Sequence, residues 1–193
     1  MVAAALTSWS LAGPAAAGEA FLGVYSHDID DQLSHGHYET GPQIVGGVRT
    51  ASLDELSLIG KPHVHLLAGV STTGGTDYLA AGFSWRFRFA ERFYVEPGIG
   101  LAIHDGRVNL PSPDEPGISP AERLKRENDF KTKLDLGSRV LFEPEFSVGY
   151  VATRRLSVEM SWIHMSHAKL AGHQNPGLGD FGVRLLYRYG IDR

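Results

Sequence analysis

The sequence predicts an all-β protein: an eight-stranded, antiparallel, up-and-down transmembrane β-barrel. Three observations predict it. Side chains alternate with a period of two through many segments. One face of each segment is rich in Phe, Trp and Tyr and nearly free of charge, while the other combines Gly, Ser and Ala with charges of both signs. Tight turns and long polar loops fall on opposite sides, as an up-and-down barrel requires, apart from a long inner Ser52–Pro62 and a short outer Thr73–Thr76. A soluble barrel of the lipocalin kind points its apolar face inward, whereas a membrane barrel inverts this. Small residues with paired charges suit a narrow lumen, and an uncharged aromatic face suits lipid. No stretch approaches the ~18 apolar residues of a spanning helix, so strands must do the crossing.

Composition narrows the class. The 193 residues suffice for one domain. A net charge of -4 gives no electrostatic footprint for nucleic acid. The absence of cysteine removes disulfides and thiolate metal sites. Residues 1–17 read as an export signal: Val2 to Ala12 is largely apolar, and Ala15-Ala16-Ala17 forms a small-x-small cleavage site before Gly18. No basic n-region precedes it, as expected of a leader whose start is cut short; the alternative is a frayed Ala-rich terminus. Residues 18–193 then form the barrel.

The strands are expected at 20–27, 42–51, 63–72, 77–89, 93–105, 134–151, 155–167 and 179–189. In the fourth, Leu79, Ala81, Phe83, Trp85, Phe87 and Phe89 oppose Tyr78, Ala80, Gly82, Ser84, Arg86 and Arg88. In the sixth, Val140, Phe142, Pro144, Phe146, Val148 and Tyr150 oppose Arg139, Leu141, Glu143, Glu145, Ser147 and Gly149. In the last, Phe181, Val183, Leu185, Tyr187 and Tyr189 oppose Asp180, Gly182, Arg184, Leu186 and Arg188. Pro97 and Pro144 sit inside strand patterns, where proline donates no ladder hydrogen bond, and predict bulges. Ala90-Glu91-Arg92 and Ala152-Thr153-Arg154 are tight turns of the periplasmic side; His27 to Gly41 and Arg107 to Lys133 are long, polar outer loops. Ser52 to Pro62 is long for an inner turn.

The seventh strand carries the candidate chemistry. Leu156, Val158, Met160, Trp162, His164 and Ser166 share the lipid-facing parity, which puts His164 and Ser166 on the outer wall near the extracellular end. Polar groups in hydrocarbon are costly and therefore candidates for function. Imidazole as general base beside a hydroxyl nucleophile is the acyl-transfer arrangement. The alternative is that both sit in the interfacial belt and meet only headgroups and water.

His164-Met165-Ser166-His167-Ala168, Asn175-Pro176-Gly177-Leu178, Gly182-Val183-Arg184 and Tyr187-Arg188-Tyr189 together resemble the C-terminal signature of the lipid A 3-O-deacylases, also called acyloxyacyl hydrolases. Phe21 to Asp28 and Ile103 to Gly106 are similar to further segments of that family. The resemblance implies an outer-membrane barrel that hydrolyses the ester-linked acyl chain at the 3-position of lipid A, within lipopolysaccharide, without metal or cofactor. It implies Ser166 as nucleophile and His164 as base. The family has Asn after its serine, as an oxyanion donor; here that position is His167, with Asn175 in support. The family's acid falls four residues after the loop Asn, which is Gly179 here. Asp180 is the adjacent acid, on lumen parity, and reaches His164 only if a bulge at Gly179 turns it outward. A contrasting reading is a non-catalytic barrel of the adhesion or membrane-integrity type with a degenerate site. Acyl-chain preference and oligomeric state are open.

Other groups rank lower. His63 and His65 share lumen parity and read as hydrogen-bonded interior histidines before metal ligands. His27, Asp28, His35, His37 and Glu39 lie in the first outer loop, either solvated or around a cation. Arg123, Lys125, Arg126, Lys131 and Lys133 are either an ordinary charged loop or a meeting point for lipid A phosphates.

Overall fold

The computed structural model describes residues 17–34, 38–170 and 175–190. Residues 1–16 of the expected leader, with His35, His37 and the end of the chain from 191, lie outside the described residues. The strands are β1 Gly18–Ser26, β2 Pro42–Thr50, β3 His63–Ser71, β4 Tyr78–Ser84, β5 Phe87–Arg88, β6 Phe93–His104, β7 Val140–Val151, β8 Leu156–Met165 and β9 Leu178–Tyr189. Each pairs antiparallel with its neighbour, and β1 closes on β9 from Gly18↔Tyr189 to Ser26↔Phe181. Both β4 and β5 pair with β6 in one register, Tyr78↔His104 through Phe87↔Val95, so they are two pieces of one stave. The closed barrel therefore has eight staves.

The faces are inverted as lipid requires. Leu22, Val24, Val70, Ile99, Leu101, Met160, Val183 and Leu185 are exposed, while Glu19, Arg49, Glu96, Glu143, Glu145, Glu159 and Arg184 are buried. Inside, four arginines (49, 86, 184, 188) interlock with four glutamates (19, 96, 145, 159). Arg86 holds Glu96 at 2.6 Å and Glu19 at 2.7 Å. His65 bonds Glu143 at 3.1 Å, the interior role expected of it, and His63 bonds the Thr50 carbonyl at 2.8 Å. Tyr94 lies flat over Gly149, where a Cβ would come within 2.1 Å of its ring. At the inner end, Phe89, Phe93 and Tyr150 form a girdle with centroids 6.1 and 5.1 Å apart, and Arg155 donates to the Tyr187 hydroxyl at 3.1 Å. Amphipathic aromatics of this kind belong at the headgroup level.

Two expectations are corrected. Neither proline makes a bulge, because the β6–β7 register runs without a slip from Phe93↔Tyr150 to Ile103↔Val140. The ladder is interrupted instead. Trp85 N–H donates to the Pro97 carbonyl at 2.9 Å, and proline has no N–H to return, so the stave divides at Trp85–Arg86. Second, the sixth strand starts at Val140, not 134, and the loop before it holds helix α1, Pro120–Thr132. Its signal was in the sequence: Ser119 caps the Glu122 amide at 3.1 Å and Pro120 occupies the first turn. The inner turn is long as expected, and it contains a 3-10 segment, Asp54–Ile59, closed by Gly60 at φ 88°.

Candidate functional site

The outer end of β8 is where regular pairing stops. The β7–β8 ladder ends at Glu145↔Ile163 and resumes only as a bridge between Phe142 and Ser166, whose amides and carbonyls exchange bonds of 2.8 and 3.1 Å. Between them, Pro144 stands opposite His164. Phe142 directs its backbone bonds to β8, and so does Pro144 two residues on, so the missing donor removes a ladder bond to the histidine on the β7 side, while β9 still pairs with it.

His164 and Ser166 emerge on the outer face as their parity predicts, with no hydrogen bond between them among the described residues. Trp162, one position inward on that face, stacks on His164 with centroids 5.8 Å apart and planes 16° apart. Sequence parity left His164 on an open wall. In the structure it is only 3% exposed, because the Asp31–Ser34 stretch of the first outer loop packs against it. Ser34 Oγ lies 2.9 Å from His164 Nδ1. Asp31 shapes that loop: its Oδ1 accepts the Leu33 and Ser34 amides at 2.7 Å each, and its Oδ2 accepts the Trp162 indole N–H at 2.7 Å. Burial raises the Asp31 pKa, but the indole, the two amides and the charge of His164 outweigh it and hold the carboxyl below its usual range. Alternation along strands carries no signal for Asp31 or Ser34, which come from a loop.

Asp180 stays inside the barrel. The β8–β9 register is unbroken through Ile163↔Asp180 and His164↔Gly179, so the bulge that would turn it outward does not form. Its oxygens accept from His27 Nδ1 at 2.9 Å, the Tyr78 hydroxyl at 2.8 Å and the Asp28 amide at 3.3 Å. It therefore anchors the first outer loop and does not meet His164. His167 is buried, and its amide donates to Asn175 Oδ1 at 3.1 Å, so Asn175 steadies the main chain just after Ser166.

His27 bridges Asp180 and Glu39, each at 2.9 Å, and both ring nitrogens donate only when the ring is charged. Burial lowers the His27 pKa, but the hydrogen bonds and charges of the two carboxylates overcome it and raise it from 6.5 to about 9. A raised histidine pKa stabilises the fold fully below the unfolded value, and that stability is lost as pH rises through about 9. Cleavage of the first outer loop by a broad-specificity protease is expected to stay slow to pH 7 and accelerate through pH 9. In His27→Gln it is expected to be fast throughout. A wild-type rate that is flat to pH 10 would refute the anchor.

The basic residues of the third outer loop lie on or beside α1, where Arg126 pairs with Glu115 and Glu122, Lys133 with Asp129, and Arg123 with Asp114. Two cavities open at the ends of the barrel, one against Glu39, Thr76 and Lys133, the other against Glu19, Trp85 and Arg188. Neither touches His164 or Ser166.

A family model described as lipid A 3-O-deacylase (PagL) matches residues 50–188. Among solved structures, the chain is similar to the outer membrane enzyme PagL, with 19% identity and a TM-score of 0.54 over 89% of this chain and 99% of that one. It is also similar to a de novo designed transmembrane β-barrel, with 8% identity and a TM-score of 0.51 over 89% and 94%. These two likenesses show the fold. No curated protein sequence matches the chain.

Proposed function

Because the chain belongs to the lipid A 3-O-deacylase family, we propose that this outer-membrane barrel is a carboxylic ester hydrolase that removes the 3-position acyl chain of lipid A, with Ser166 as nucleophile and His164 as general base. The observation that carries this reading is the pair itself. His164 is held through Nδ1, while its Nε2 and the Ser166 hydroxyl have no hydrogen-bond partner among the described residues. They sit at the outer end of the β8 stripe that carries Leu156 and Met160, both exposed.

Ser166 Oγ attacks the ester carbonyl carbon as its proton passes to His164 Nε2. The bond to the sugar oxygen breaks, and His164 returns the proton to that oxygen. Water then attacks the acyl-serine by the same route, releasing a fatty acid and restoring the hydroxyl. Asn175 fixes the backbone behind Ser166, with His167 beside the nucleophile as the oxyanion forms. Acid, base and nucleophile are all protein groups in this scheme, so no step calls for a metal or cofactor.

Mass spectrometry of lipid A from cells expressing wild type or Ser166→Ala tests the reading. Wild type is expected to remove one hydroxyacyl chain. The variant is expected to remove none, since losing such a serine costs roughly 10⁶ in turnover in a serine protease. Intact lipid A beside folded wild type would leave a non-catalytic barrel.

A further inference from the structure

Gly179 pairs directly with His164 across β8 and β9. Its φ is not positive, so its backbone does not demand glycine. Space does. A Cβ at Gly179 would lie 2.8 Å from Asp31 Oδ2 and 2.9 Å from Ser34 Oγ. The room a side chain would take opposite the histidine is thus filled by a carboxylate and a hydroxyl from the first outer loop. Two further contacts seat that loop: the Ile29 amide donates to the Gly179 carbonyl at 2.8 Å, and a Cβ at Gly177 would come 2.7 Å from His164 Cε1 and 3.2 Å from the Leu33 carbonyl.

We propose that Ser34 and Asp31 are the positioning residues of His164, and that together they replace the acid the strand itself lacks at Gly179. This rests on the deacylase reading. It also lies beyond the family match, which begins at Thr50 and leaves the first outer loop out.

The chemistry is a choice of tautomer. If Ser34 donates to Nδ1, the imidazole proton sits on Nε2 and no base faces the nucleophile. If Nδ1–H donates to Ser34 Oγ, Nε2 keeps its lone pair for the Ser166 proton. The Asp31 carboxylate, beside the Ser34 hydroxyl on Gly179, favours the second arrangement. Its negative charge lies near the ring and stabilises the imidazolium formed in the reaction. The carboxylate is itself held by three N–H donors, so its place is fixed.

The test is steady-state hydrolysis of purified lipid A in detergent by the full chain, with folding checked by circular dichroism. Ser34→Ala and Asp31→Asn are each expected to lower kcat roughly 10- to 100-fold with KM unchanged, short of the ~10⁴ a directly bonded carboxylate supplies in a serine protease. Ser34→Thr, which keeps the hydroxyl, is expected to retain most of the rate. The decisive arm is a transplant: Gly179→Glu in the Asp31→Ala/Ser34→Ala background, where the space has been cleared, is expected to restore kcat at least tenfold. The same Gly179→Glu in the wild-type loop is expected to lower it. A merely structural loop would not be rescued by a carboxylate on another strand. An active wild type, dead Ser166→Ala and unchanged Ser34→Ala would overturn this assignment and leave the deacylase standing. An inactive wild type would overturn both.

Discussion

Arg184→Met is expected to destabilise the barrel by about 3–5 kcal/mol, the cost of removing one partner from a buried ionic group. The Arg184 side chain is fully buried. Its Nε donates to Glu159 at 2.6 Å, its Nη1 to Glu145 at 3.3 Å and its Nη2 to Ser147 Oγ at 3.0 Å, and its guanidinium lies 4.4 Å from the Phe21 ring centroid. Methionine has similar length and fills much of the space, so the loss comes from charge and not from a cavity. Four carboxylates then face three arginines in a lumen where water cannot solvate the excess. Arg184→Lys keeps the charge but loses the fork that serves three acceptors, and is expected to fall between. The second variant that separates charge from packing is Arg184→Met/Glu159→Gln, which removes one charge of each sign and is expected to recover part of the loss. Urea unfolding in lipid vesicles measures all three. A single variant as stable as wild type would mean that the lumen admits enough water for its ion pairs to carry no weight.

The lumen was legible in the sequence because alternation assigns every second residue of a strand to one side. Glu143, Glu145 and Arg184 fall inside on parity alone, and His164 and Ser166 fall outside. Asp180 shows the same rule working against a bulge proposed to rescue a catalytic acid: parity said lumen, and the register keeps it there. What alternation cannot carry is contact between a loop and a strand. Asp31 and Ser34 stand about 130 residues from Trp162 and His164 along the chain, and no periodic pattern relates them. The one trace was a vacancy, since Gly179 occupies the place where the family keeps its acid. Likewise α1 went unread because the charged loop around it masked a Ser-Pro start that only its capping geometry makes plain.

Val183→Arg tests the other side of the wall, and is expected to cost about 2–4 kcal/mol in a bilayer. Val183 lies midway along β9 and is 50% exposed, and its cross-strand neighbours Val24 and Met160 are 58% and 54% exposed. In water such a position is among the cheapest in a protein to charge, within ~0.5 kcal/mol of neutral. In hydrocarbon the guanidinium must either shed water or drag it inward, and neither end of the stave is close enough for the side chain to escape fully. Depth is the control. Leu156 begins β8 at the inner rim, beside the Arg155–Tyr187 contact, and Leu156→Arg is expected to cost only ~0–1 kcal/mol because its charge reaches the headgroups. Urea unfolding in vesicles reads both. A steep cost at 183 with little at 156 locates the apolar band, and with it the height of Ser166 at the band's outer edge. Equal and small costs at both positions would mean that this face meets water. The ester of a membrane lipid would then have no reason to lie beside Ser166.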